Sequence, residues 1–216
     1  MNINEVTKNI EVLTHSSIRI HSMYGTIYVD PYQVKEAFND AAFIFITHDH
    51  YDHYSPEDIR KVMGKDTVFI VPEKMKKAVT ADFGKWEVTA VRPGEFYTVK
   101  DIPFETVAAY NNLKLFHPKK NGWCGYVLTV DGNRVYIAGD TDTTKEAKVV
   151  KCDIALVPVG GTFTMDAQKV SELVNHIKPK VAIPTHYGTV AGKPEDGEVF
   201  RRLVDPEINI DIKLVF

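Results

Sequence analysis

The sequence predicts one domain of mixed α/β class, and three observations carry that reading. Short β-type runs occur in both halves of the chain. A strongly amphipathic helical segment lies in the second half, and no Pro/Gly/Ser-rich linker divides the two. The 216 residues, 44% of them hydrophobic, suffice for one substantial core over 1–216 and are too few for two typical domains.

The chain opens with strand-like runs at 10–13, 17–21 and 26–29. The second alternates apolar and polar residues, as a half-buried strand does. Tyr24-Gly25 reads as a hairpin turn, and Pro31 stops further pairing after Asp30 because it has no N–H to donate. The apolar run 41–46 reads as a buried strand, followed by Ser55-Pro56-Glu57-Asp58, an N-cap, a proline at the first helical position and acid behind it. Further β runs are 66–71, 86–91, 104–109 and 153–158, while 127–137 reads as two strands joined at Asp131-Gly132-Asn133. A short basic helix is expected over 73–80. Val170, Leu173, Val174 and Ile177 fall at i, i+3, i+4 and i+7 and predict a helix, with Thr164 as its N-cap and Pro179 as its stop. His176 lies off that apolar face, as a solvated residue would.

Composition narrows the function classes. A formal net charge of −3 and the lack of a basic arm argue against a nucleic-acid partner. No apolar stretch reaches the length of a membrane span, and Met1-Asn-Ile-Asn-Glu5 lacks the pattern of a signal peptide. The two cysteines, Cys124 and Cys152, read as reduced thiols, so a cytoplasmic location is expected. Oligomeric state leaves no mark in the residue pattern.

The chemistry concentrates between 47 and 54. His48, His50, Asp52 and His53 place four potential metal ligands within six positions, between a strand end and a helix start. A histidine-rich surface loop is the plainer reading of any one of them, but it leaves three imidazoles and a carboxylate without a task. Imidazole and carboxylate are the donors that zinc and related divalent ions take. Three more candidates follow at strand termini: His117 before the run 124–130, Asp140 closing 135–140, and His186 closing 181–186. Such termini are where α/β sheets gather their sites.

This His-x-His-x-Asp-His stretch, followed in order by a His, a Gly-Asp-Thr aspartate and a final His, resembles the metallo-β-lactamase superfamily. The resemblance spans most of the chain. It implies an αββα sandwich, two mixed sheets flanked by helices, where periodicity alone predicts only mixed α/β. It further implies two divalent ions, zinc first and manganese or iron as alternatives. His48, His50 and His117 would hold one ion, Asp52, His53 and His186 the other, and Asp140 would span both. A hydroxide bridging two such ions would be the nucleophile of a metal-dependent hydrolase.

Other details resemble the compact branch of metal-dependent hydrolases that includes ascorbate-6-phosphate lactonase: Thr14-His-Ser-Ser-Ile-Arg19, Asp30-Pro31, Ala109-Tyr-Asn111, Gly122-Trp-Cys-Gly-Tyr126 and Pro158-Val-Gly-Gly-Thr162. The expected substrate is therefore a small ester, lactone or phosphodiester. An RNA-processing phosphodiesterase of the tRNase Z type and a non-enzymatic metal-binding protein are the alternatives.

Asp52, His15 and Asp140 are the candidate catalytic groups, His15 as a substrate contact or proton donor or else a structural histidine beside the site. Asp30 and Asp142 are candidates for orienting ligand imidazoles, with ordinary turn duty as the alternative. Gly160-Gly161-Thr162 could offer N–H groups to an anion or simply form a turn. Tyr110, Asn111, Trp123 and Tyr187 are candidate mouth residues or core packing, and the segment 187–197 reads as a flexible loop and candidate lid.

Overall fold

A computed structural model describes residues 1–216. After a capped first helix α1 (Ile3–Lys8), the chain forms β1 (Ile10–Thr14), β2 (Ser17–Ser22), β3 (Gly25–Val29) and β4 (Ala41–Phe45). Then come α2 (Pro56–Val62), β5 (Met63–Pro72), α3 (Lys76–Phe83) and β6 (Glu87–Val91). These six strands make one sheet in sequence order, antiparallel from β1 to β3 and parallel from β3 to β6.

The second half repeats that logic. It comprises β7 (Phe96–Val99), β8 (Ile102–Ala108), β9 (Cys124–Val130), β10 (Asn133–Ile137), α4 (Lys145–Lys148), β11 (Ile154–Pro158), α5 (Ala167–Ile177), β12 (Val181–Thr185), α6 (Asp196–Leu203) and β13 (Asn209–Ile210). Its seven-stranded sheet is antiparallel from β7 to β10 and parallel from β10 to β13.

Alternation along β4 and β5 sets the layering, because successive side chains of a strand point to opposite faces. Phe43, Phe45, Val68 and Ile70 belong to the large core shared with the second sheet. Their neighbours Ile44, Phe69 and Val71 pack outward against Ile59, Val62, Val79 and Phe83 of α2 and α3. The sheets meet edge-to-face: the Phe45 ring centroid lies 5.2 Å from that of Phe104 and 5.1 Å from that of Tyr126. The Tyr126 hydroxyl also donates to the Ile46 carbonyl across the interface at 2.6 Å. Both sheets are thus buried on both faces, which is the expected αββα sandwich. No helix is long and apolar enough to cross a membrane.

Most expected elements stand within a residue or two. Ser55 caps α2, with its oxygen accepting from the Asp58 N–H at 3.3 Å. Val170, Leu173, Val174 and Ile177 form the buried face of α5. The expected cap of that helix needs correcting. Asp166, not Thr164, accepts from the Lys169 N–H at 2.9 Å, while Thr164 is fully buried. A carboxylate two residues closer to the apolar run satisfies the free N–H better. The segment after His186 also differs from a plain flexible loop, since α6 begins at Asp196 and packs against α5.

Candidate metal centre

All seven expected ligands and His15 meet at one end of the sandwich. His48, His50, Asp52 and His53 lie in the loop between β4 and α2, where the His53 and Tyr54 N–H groups both donate to the His50 carbonyl and curl the loop on itself. His117 lies between β8 and β9. Its carbonyl accepts from the Asn111 N–H at 2.8 Å, and its own N–H donates to Asn111 Oδ1 at 3.1 Å. Asp140 follows β10 and His186 follows β12. His15 sits in the β1–β2 turn, where its carbonyl accepts from the His186 N–H at 3.0 Å. His15, Asp30 and His186 all have left-handed backbones, with φ of 48°, 47° and 59°. Three non-glycine residues held in that sparsely populated region mark a place where the surroundings over-determine the backbone.

The atoms of the expected ligands and of His15 fall into two groups, those of His48, His50 and His117 within 4.8 Å of one another and likewise those of His15, Asp52, His53 and His186, while Asp30 makes a third such set with His48 and His53. Asp140 stands between the two groups. Its Oδ2 is 3.2 Å from His117 Nε2 and 3.0 Å from His186 Nε2, and its Oδ1 is 3.3 Å from His53 Nε2. None of these approaches has the alignment of a hydrogen bond. His53 Nε2, His117 Nε2, both ring nitrogens of His186 and Asp140 Oδ1 are buried without a hydrogen-bond partner. Buried polar atoms are nearly always paired. Orphaned donors and an orphaned carboxylate oxygen facing one another are what a divalent cation would satisfy.

Behind the cluster, a second set of groups fixes the rings. The Thr47 hydroxyl donates to Asp30 Oδ2 at 2.6 Å, so its oxygen accepts from His48 Nδ1 at 2.9 Å. His53 Nδ1 donates to the same Asp30 oxygen at 2.7 Å. His117 Nδ1 donates to Asn111 Oδ1 at 2.9 Å. Each of these bonds turns Nε2 toward the cluster, the role that carboxylates and carbonyls play behind ligand histidines.

Electrostatics agree with that arrangement. Burial, reinforced by His53, holds His48 well below the ordinary histidine range, and burial followed by His117 lowers His50. Burial opposes ionisation of Asp140, but His186 and His53 outweigh it and hold the carboxyl well below its usual range. At His53 burial is overcome by Asp140 and Asp30, and the imidazole is pushed well above its usual value. A carboxylate kept ionised among imidazoles is a pre-formed cation site.

Comparison with known proteins fits this geometry. A family model described as a beta-lactamase superfamily domain matches residues 9–186. The chain belongs to the metallo-β-lactamase superfamily. Within it, most of the curated relatives are named metal-dependent hydrolases. One from Methanopyrus kandleri is 30% identical over 186 residues, covering 82% of this chain and 79% of its own. One from Lysinibacillus sphaericus is 27% identical over 209 residues, covering 88% and 89%. A solved structure from Parabacteroides distasonis, assigned as a metal-dependent hydrolase, is 32% identical with a TM-score of 0.79 over 95% of this chain and 93% of that one. A metallo hydrolase from Ignicoccus hospitalis shares the fold at 21% identity, with a TM-score of 0.75 over 94% and 93% of the two chains. This superfamily member is by class a metal-dependent hydrolase.

The structure sorts the residues that sequence placed around the metallo-β-lactamase cluster. Asp30 does orient a candidate ligand. Asp142 does not: it accepts from the Asn112 N–H at 2.9 Å and lies 3.4 Å from Lys114, holding a loop. Tyr187 is fully buried and packs on Phe216, away from the mouth. Trp123 lies beneath the cluster, 5.0–5.5 Å from the rings of His48, His50 and His117. Tyr110 donates to Glu146 at 2.8 Å. Cys124 is buried in β9 and takes no part in either group. Gly160 is a close approach rather than an anion nest, since a Cβ there would sit 2.3 Å from the His186 carbonyl oxygen.

His15 is fully buried, with Nε2 3.2 Å from Asp52 Oδ2 and Nδ1 3.1 Å from the Thr189 hydroxyl. It does not line the mouth, whose walls are His50, Tyr51, Asp52, Phe116, Asp140, Phe163 and Val190. Sequence reasoning gave no role to Thr47, which carries no metal-ligand chemistry of its own, and missed Phe163, whose ring partner Phe116 is 47 residues away, while Thr189 and Val190 lie in the segment read as a candidate lid.

Proposed function

We propose that this chain is a binuclear hydrolase of a small ester, lactone or phosphodiester. His48, His50 and His117 would hold one ion, Asp52, His53 and His186 the other, and Asp140 would reach both. The observation that carries this reading is the position of Asp140, whose two oxygens approach donors from both groups while Oδ1 has no hydrogen-bond partner. The imidazole-rich donor set suits zinc first, with manganese or iron as alternatives. Bound divalent ions would supply Lewis acidity and lower the pKa of coordinated water toward neutrality.

The chain's own groups do the rest. Asp30, Thr47 and Asn111 lock three imidazoles with Nε2 facing inward. Asp52, only 6% exposed, is a carboxylate at the mouth; ionised, it is placed to accept a proton from the attacking water and return it to the leaving group. Burial opposes its ionisation, but His15 and His53 outweigh burial and hold it below the ordinary range. His15 is then a positioning residue that acts through Asp52.

The test is metal analysis of protein loaded with zinc, manganese or iron, joined to a screen of ester, lactone, thioester and phosphodiester substrates. Two ions per chain and metal-dependent turnover are expected. A single ion held by three of the named residues, even in excess metal, overturns the binuclear reading.

A further inference from the structure

We propose that the walls of the site select a substrate carrying an uncharged aromatic or branched apolar group beside its hydrolysable bond, and reject substrates that carry a phosphate away from that bond. The inference rests on the hydrolase reading above and names the substrate class. Apart from the metal-cluster residues, the mouth is walled by Tyr51, Phe116, Phe163 and Val190. Phe116 and Phe163 meet edge-to-face with centroids 4.8 Å apart and planes at 85°. Phe116 is 47% exposed and Tyr51 66% exposed, so these rings present free apolar surface to the opening instead of filling the core. An exposed aromatic wall beside a polar cluster is the usual composition of a small-molecule pocket.

The aromatic wall is also built to stay in register with the metal centre. Asn111 Nδ2 donates to the Phe163 carbonyl at 3.0 Å, while its Oδ1 accepts from His117. One amide therefore fixes a candidate ligand and the ring that would flank the bound substrate. Phe116 is the residue immediately before His117.

Charge argues in the same direction. No lysine or arginine lines the mouth. Lys114, two residues from Phe116, turns its ammonium onto the carbonyls of Gly161 and Thr164 and lies 3.4 Å from Asp142, so it braces two loops rather than facing substrate. Lys119 is paired with Glu146 at 2.7 Å. Apart from the candidate metal ligands, the mouth carries no charged side chain. A phosphate remote from the scissile bond would find no lysine or arginine there to pair with, only aromatic and aliphatic walls.

The experiment compares matched nitrophenyl esters on zinc-loaded protein: acetyl, phenylacetyl and a phosphorylated phenylacetyl ester. The phenylacetyl ester should exceed the acetyl ester in kcat/KM by roughly tenfold or more, the usual yield of a filled apolar pocket. The phosphorylated ester should fall below the phenylacetyl one. Phe163→Ala should collapse the phenylacetyl-to-acetyl ratio while metal content stays at the wild-type level. Equal rates on acetyl and phenylacetyl esters, or a preference for the phosphorylated one, overturn the proposal.

Binding of phenylacetamide, followed by saturation-transfer NMR against inorganic phosphate as competitor, separates the two readings. If no ester is hydrolysed but phenylacetamide binds and Phe163→Ala abolishes binding, the hydrolase reading falls and the apolar pocket stands. If phosphate binds and phenylacetamide does not, the pocket assignment falls whatever the activity.

Discussion

Nδ1 of His53 lies 2.7 Å from Asp30, while Nε2 of the same ring faces Asp140 at 3.3 Å. One imidazole is thus held between two carboxylates, the outer one fully buried and bound also to the N–H and hydroxyl of Thr47. Asp30 is therefore the anchor for both His53 and, through Thr47, His48.

Asp30→Asn keeps the shape of that anchor and removes its charge. Loss of such a group behind a ligand histidine weakens metal binding about 10–100-fold. Competition with a chromogenic chelator should show that loss, with the circular dichroism spectrum unchanged. Wild-type affinity in the variant would mean that Asp30 serves the turn alone.

Metal binding should weaken as pH falls. Asp140 and Asp30 raise the pKa of metal-free His53, so near neutrality this ring carries a proton that an ion must displace. His48 and His50 are shifted the other way and enter the site already neutral. The expected slope is about one proton released per ion pair bound, or roughly tenfold in affinity per pH unit between pH 6 and 8. Calorimetry in buffers of different ionisation enthalpy counts that proton directly.

Asp140→Ala should abolish hydrolysis and reduce bound metal, while the fold survives in the absence of ions. Removing the carboxylate between the groups deprives both of a donor, and any stability linked to bound metal goes with it. A folded variant with near-native turnover would place the chemistry elsewhere.

His15 gives a prediction in pH-dependent stability. Burial is the main cause that lowers its pKa from 6.5 to about 4 in the fold. Between those values the unfolded chain binds a proton that the folded chain refuses. Its contribution is therefore fully present above pH 6.5 and is lost as pH falls toward 4. Urea melts of metal-free protein should show that loss, and His15→Gln should flatten it. The same variant should keep its metal yet lose roughly a hundredfold in turnover on substrates with poor leaving groups, less on nitrophenyl esters. Loss of metal instead would make His15 a ligand, in keeping with its place beside Asp52, His53 and His186.

Two glycines beside His186 should respond unequally to alanine. At Gly188, φ is +74° and the new methyl meets the Phe216 ring, which is 56% exposed and free to swing aside. The residual cost is that of a left-handed alanine, about 1 kcal/mol. At Gly160 the methyl meets the His186 carbonyl at 2.3 Å and Nδ1 at 2.9 Å, neither of which can move without displacing the ring. Gly160→Ala should therefore lower metal occupancy as well as melting temperature, and Gly188→Ala the melting temperature alone.

The cluster was legible because its residues advertise their chemistry and follow apolar runs whose ends are easy to find. His48, His117, Asp140 and His186 could each be placed at a strand terminus on pattern alone. The left-handed backbones of His15, Asp30 and His186 could not, since no residue there has the glycine or asparagine that usually signals them. Helix α6 escaped notice because Gly197 and a run of charges mask its few apolar positions, although Phe200 is fully buried. Thr164 reads as a cap because it precedes the apolar face, and its tertiary burial is what leaves that place to Asp166. Phe163 was invisible as a wall of the site, since its partner Phe116 is 47 residues away and brought near by Asn111.

The donors are divided between the two sheets. The loop after β4 offers His48, His50, Asp52 and His53, whereas His117, Asp140 and His186 come from the other sheet. On the proposed ligand set, neither half expressed as a separate fragment owns a complete grip on either ion: His48 and His50 lack His117, and Asp52 and His53 lack His186. Capture of the ions would then favour reassembly of two such fragments, adding to the core they share, and a chelator would withdraw that part of their affinity for each other.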